Sequence, residues 1–169
     1  IAALLANDIS LLAYHLPLDA HPRFGNNASL ARMLDIVVED TLEPGNPAAI
    51  GNIGHLQQVS TVQVLLDRIR AQLGREALHI GEPHERVQRI AWCSGGAQGY
   101  IEQAVAAGAE VFITGEISEQ TVHVAREEGI HFVAAGHHAT ERYGVQSLGA
   151  ELAQRLDLEV KFVDIDNPA

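Results

Sequence analysis

The sequence predicts an α/β fold, a mainly parallel sheet flanked by helices, and two observations carry that prediction. From Val87 onward, short apolar runs alternate with amphipathic helical patterns at the spacing of β-α-β units. The runs themselves, such as Phe132–Ala135, are apolar throughout rather than alternating, as in strands covered on both faces. At 169 residues the chain has the length of one domain with ample core.

In chain order, Ile1–Ala6 reads as a helix-like piece and Ile9–Tyr14 as an apolar strand that ends in His15. Ile1 enters in the middle of an apolar pattern with no Met and no cap, so a preceding N-terminal part is expected. Asp19 follows His15 by four residues, and a loop dense in turn formers runs from Ala20 to Asn27. Asn27 is placed to cap a short helix carrying Leu30, Met33 and Leu34. Ile36–Val38 reads as a strand, and Thr41–Pro47 as a breaker cluster, forming a mobile loop or a sub-domain border. Ile50–Leu56 reads as a glycine-rich strand. Ser60-x-x-Gln63 has the form of a capping box for a helix whose core stripe is Val62, Leu65, Leu66, Ile69 and Leu73, ended by Gly74.

Ala77–Ile80 and Val87–Cys93 follow as strands, then a glycine turn at Ser94–Gly99 and a helix at Tyr100–Ala107. Val111–Thr114, the helix Ser118–Glu128, the strand through Phe132 and Val133, and a long helix to Leu156 complete the rhythm. Val160–Val163 is expected as a closing strand. In such sheets ligands gather at the carboxyl ends of the strands, here Ser94–Gly96, Thr114–Glu116 and Gly136–Glu141.

The chemistry-bearing residues fall at those ends. His137-x-x-x-Glu141 puts an imidazole and a carboxylate on one helical face, a pattern suited to metal binding. His15-x-x-x-Asp19 repeats that spacing after another apolar run, so the two acids are candidates for a shared site. Glu116 is a candidate acid–base or supporting carboxylate, or simply a charge favoured at a helix start, and His123 lies two turns further on. Ser94, Gly95 and Gly96 could bind an anion through their backbone N–H groups or form only a tight turn. Neither G-x-S-x-G nor G-x-G-x-x-G is present, which disfavours a serine hydrolase elbow and a dinucleotide fold.

A net charge of -11 and a sequence pI near 5.1 argue against binding a nucleic-acid backbone. The single cysteine excludes an internal disulfide and fits a reducing, cytoplasmic setting. No apolar run approaches the ~20 residues of a membrane span, and no signal-peptide pattern is visible, so no membrane role is expected.

Tyr14–Pro22, Gly25-Asn26-Asn27, Trp92–Gly96, Phe112–Glu116 and Ala135–Glu141 together resemble the GTP cyclohydrolase I type 2-like family, also called Ngg-interacting-factor-three-like. The resemblance is strongest to its short bacterial YbgI-type members, with the motifs in the family's order. It implies two interlinked lobes and a homohexameric toroid with metal pairs facing the central cavity. It implies that 1–43 is the C-terminal part of a first lobe, 44–86 a connecting segment, and 87–169 the β-α-β region with the Gly-His-His-Ala-Thr-Glu motif. It also implies that Asp19, His137 and Glu141 are metal ligands, with Glu141 bridging two ions; carboxylate and imidazole donors suit Zn, Fe, Mn or Ni, and spacing alone does not choose among them. The family's remaining ligands, adjacent histidines of a His-His-Gly motif, have no counterpart in these residues. The activity implied is that of a metal-dependent hydrolase on nucleotide-like substrates, with a non-enzymatic metal chaperone or metal-sensing regulator as the alternative, and a purely structural assembly protein as a third reading.

Overall fold

The computed structural model describes residues 1–169. Six strands join one sheet: β1 (Ile36–Thr41), β2 (Asn52–Thr61), β3 (Leu78–Ile80), β4 (Arg86–Trp92), β5 (Val111–Thr114) and β6 (His131–Ala134). Their order across the sheet is β1-β2-β4-β5-β6-β3. The helices are α1 (Ala2–Ala6), α2 (Leu16–Asp19), α3 (Asn26–Met33), α4 (Val62–Leu73), α5 (Ile101–Ala106), α6 (Glu119–Glu128), α7 (His137–Glu141) and α8 (Tyr143–Leu156).

The mixed α/β class holds, but the mainly parallel sheet does not. Only β4 with β5 and β5 with β6 run parallel, where α5 and α6 provide the crossovers. The β1–β2, β2–β4 and β3–β6 pairs are antiparallel, three of the five pairings. The cause lies in connectivity: from β2 the chain runs through α4 to β3 at the far edge, then returns as β4 beside β2. All six strands share this one sheet, so two interlinked lobes are not distinguished in the chain.

Both faces of the sheet are covered. Leu30 of α3, its C-cap residue Leu34, and Leu65 and Ile69 of α4 pack on Ile90, Trp92, Val111, Ile113 and Val133. On the other face Ile101, Ala104 and Ala125 from α5 and α6 pack on Ala91, Phe112 and Phe132. Alternate residues of β5 therefore enter opposite cores, which explains its unbroken apolarity. Ile69 is fully buried, a burial that stabilises by roughly 1.5–3 kcal/mol.

Local expectations need further correction. The cap of α4 is Thr61, whose Oγ1 accepts the Val64 N–H at 3.4 Å, one residue past the expected Ser60. Gly74 ends α4 in the left-handed conformation, as its position predicts. The N-cap of α3 is Gly25, and Asn27 lies buried inside the helix, with its side chain engaged elsewhere. Ile9–Tyr14 and Val160–Val163 are not strands. Both are exposed and join no ladder, because an apolar run becomes a strand only where a neighbour supplies backbone partners. No helix is long and apolar enough to cross a membrane.

The parallel strands β4, β5 and β6 direct their carboxyl ends to one edge. The loops there are stitched together: Gly115 N–H donates to Gly95 O at 2.8 Å, and Gly136 N–H to Gly115 O at 3.0 Å. The candidate site is built on this stitched platform.

Candidate metal centre

Thr140, fully buried in α7, fastens that helix to the platform. Its Oγ1 accepts the Gly95 N–H at 3.0 Å, while its own hydroxyl lies 2.9 Å from Gly136 O and 3.0 Å from His137 O. Gly95 has φ +69°, and a Cβ there would stand 2.0 Å from Glu141 Oε1, so the turn reaches the site only as glycine.

Asp19 comes from the other side, at the end of α2, and is buried at 4% exposure. Its Oδ1 accepts bonds from Asn26 Nδ2 at 2.7 Å and from Ser94 Oγ at 3.4 Å. His15 is the N-cap residue of α2, and the helical turn between them lets His15 and Asp19 face one point. Pro17 in the first turn suits this short helix, since no N–H bond is lost there. Ligand atoms of His15, Asp19 and Glu141 all lie within 4.8 Å of one another. His137 joins them through Nε2, 3.1 Å from Glu141 Oε2, and its Nδ1 lies 2.6 Å from Glu116 Oε1. The cavity, of about 230 Å³, is lined by these four residues together with Cys93 and Ser94, and by an apolar wall that includes Ile50 and Tyr100.

The Asp19 and Glu141 carboxylates converge, with the His137 imidazole against Glu141 at 3.1 Å. Burial, then the neighbouring Asp19 charge, raises the Glu141 carboxyl above its ordinary pKa. The hydrogen bond to Glu116 is the main cause of a raised His137 pKa. The Cys93 thiol is pushed up to about 12 by burial and by the Asp19, Glu141 and Glu43 charges, so it stays protonated. No Lys or Arg lines the cavity. Two carboxylates and an imidazole converging without a Lys or Arg make a donor set that fits a divalent cation, in the range Zn, Mn, Fe or Ni.

The sequence candidates divide as follows. Asp19, His137 and Glu141 are brought together, and Glu116 reaches the cluster through His137. His123, expected as an acid–base group, stands exposed on α6 and does not line the cavity. In the Ser94-Gly95-Gly96 turn, the Ser94 N–H is taken by Asn27 Oδ1 at 2.8 Å and the Gly95 N–H by Thr140. Two of the three N–H groups expected to hold an anion are thus engaged within the protein. His138 faces away, with Nε2 3.2 Å from Asp164 Oδ1. The expected ligand set omits His15, although its spacing to Asp19 is the available signal. Nothing local marks Thr140, whose partner Gly95 lies 45 residues earlier.

A family model described as Duf34/NIF3 (NGG1p interacting factor 3) matches residues 1–168. The protein of Pseudomonas aeruginosa named GTP cyclohydrolase 1 type 2 homolog is 58% identical over 168 residues, covering 98% of this chain and 66% of its own length. The protein of that name from Escherichia coli K12 is 52% identical over 167 residues, with the same coverage of 98% and 66%. A solved structure described as protein ybgI, of unknown function, superposes with a TM-score of 0.91 at 51% identity, over 98% of this chain and 66% of that one. A second, from Thermus thermophilus, has a TM-score of 0.82 at 32% identity, over 99% of this chain and 66% of its own. The chain thus spans 66% of the length of these relatives.

Proposed function

The chain belongs to the Duf34/NIF3 family, and from that premise we propose that it is a metal-binding protein acting as a metal-dependent hydrolase on nucleotide-like substrates. The observation that carries this reading is the meeting of Asp19 and Glu141, from α2 and α7, with the imidazoles of His15 and His137 and with no Lys or Arg in the lining. Holding the half-buried Glu141 carboxylate beside the buried Asp19 is costly unless a cation compensates them. The name GTP cyclohydrolase 1 type 2 homolog, carried by the relatives, supports the substrate class.

Asp19, His137 and Glu141 would hold two divalent ions. The subunits would assemble as a homohexameric ring in the cytoplasm, with 1–43, 44–86 and 87–169 as successive parts of two lobes. When bound, the ions would supply Lewis acidity and a water of lowered pKa. The side chains do the positioning. Glu116 accepts the Nδ1–H of His137, which leaves the Nε2 lone pair directed at the cluster. Asp19 is oriented by the Asn26 amide and the Ser94 hydroxyl. Ile50 and Tyr100 offer an apolar wall against which a planar base could rest.

Metal analysis and turnover test the reading. Purified chain should carry divalent metal by elemental analysis, recorded beside its intact mass, and hydrolysis within a nucleotide panel should disappear in Glu141→Ala. Protein that takes up no metal even on reconstitution would end the metal reading. A second reading is a metal chaperone or sensor, favoured by the exposure of His15 and the 38% exposed side chain of His137, which open one side of the cluster to exchange. Metal binding without turnover, with transfer to an acceptor protein, would select it.

A further inference from the structure

Asn26 is the first residue of α3 and is buried at 6% exposure. Its amide is used at both ends: Nδ2 donates to Asp19 Oδ1 at 2.7 Å, and Oδ1 accepts the Gly144 N–H at 2.6 Å. These two bonds determine the amide's orientation, since the flipped form would set oxygen against carboxylate oxygen and NH2 against N–H. Gly144 opens the first turn of α8, three residues beyond Glu141. A Cβ on it would stand 2.8 Å from Asn26 Oδ1, so the approach depends on glycine. One side chain therefore ties the segment bearing Asp19 to the segment bearing Glu141.

We propose that Asn26 is the positioning residue of the metal centre, fixing the orientation of Asp19 and its separation from Glu141. The role rests on the metal reading of that cluster. The two carboxylates repel each other before an ion arrives, and something must hold them at ligand spacing. A neutral amide suits that task. It donates a hydrogen bond to Asp19 without neutralising it, whereas a Lys or Arg in its place would compete with the ion. Hydrogen-bond partners of metal ligands act in this way, and their loss weakens binding by about 10–100-fold.

Co(II) titration of the intact chain tests this, read as affinity and as the visible spectrum of the bound ion, with far-UV circular dichroism and Tm of the ion-free protein as controls. Asn26→Leu, with the same side-chain branching and number of heavy atoms, is expected to keep the helical signal, to weaken Co(II) binding by about tenfold or more, and to shift the spectrum. Gly144→Ala touches Asn26 but no ligand, and should shift both readouts in the same direction. Wild-type affinity and spectrum in a folded Asn26→Leu would overturn the role. Should Asn26→Leu fail to fold, an unchanged spectrum in Gly144→Ala would overturn it instead. If the wild type bound no Co(II), the metal reading and this role would fall together; if only the variants behaved as wild type, this role alone would fall.

Discussion

Glu116 Oε1 stands 2.6 Å from His137 Nδ1, and that contact decides which imidazole nitrogen faces Glu141. The hydrogen bond is the largest cause of the raised His137 pKa. A histidine raised on folding contributes stability that is present below its unfolded value near 6.5 and is lost as pH rises through the higher folded value. Glu116→Gln should lower the His137 pKa, measured by NMR titration of the ion-free chain. It should also weaken metal binding by about tenfold while leaving the cluster's ligands in place. An unchanged His137 titration would contradict the bracing role.

Glu141 has a linkage of the same sign. As an acid raised by burial and by Asp19, it favours the folded state at low pH, and that stability is lost as pH rises from 4.5 through its raised folded value. Glu141→Gln should therefore raise the Tm of the ion-free chain at pH 7 and abolish metal binding. Added metal should reverse the ranking, since ion at about 100 times Kd stabilises the wild type by about 2.7 kcal/mol. Thermal scans with and without metal check both halves.

At the far edge of the sheet, His79, His131 and Glu85 form a chain. His131 Nε2 lies 2.9 Å from Glu85 Oε2, and His131 Nδ1 lies 3.3 Å from His79 Nε2. With Glu85 accepting from His131, the neutral His79 donates to His131. Burial, then the nearby His131, lowers the His79 pKa, so this stability is present above pH 6.5 and is lost as pH falls through the lowered value. The Tm should drop as pH falls below that window, and His79→Gln should flatten the drop. A pH profile identical in the variant would dismiss the chain as its source.

Thr140 is the pin between α7 and the Gly95 turn. Thr140→Val keeps the shape but leaves the Gly95 N–H without its partner, a loss of about 1–3 kcal/mol. Denaturant unfolding should report that loss, and metal affinity should fall with it because Gly95 packs against Glu141. Full wild-type stability would mean that the Gly95 N–H finds another acceptor.

Much of the second half of the chain is legible residue by residue. The elements from β4 to β6 are written as apolar runs and glycine stops, and α4 as a core stripe ended by Gly74. These signals are local, which is why they survive into the fold. Strand neighbours are not local. Nothing in β2 announces that it will lie antiparallel to β4, and nothing in Ile9–Tyr14 announces that it will find no ladder.

The site divides in the same way. His137-x-x-x-Glu141 and His15-x-x-x-Asp19 are readable because four residues bring side chains to one helical face, and the family resemblance follows from short motifs in order. Sequence by itself determined the class of the fold, the family, and three of the residues that meet in the cavity. Tertiary structure alone decided that His15 joins Asp19 and Glu141, that Glu116 enters only through His137, and that His123 stays outside. It alone set Asn26 against Gly144, a contact spanning 118 residues. The physical reason is that helical and strand periodicity acts over a few residues, whereas the site is assembled by packing and hydrogen bonds between segments whose separation no local pattern encodes.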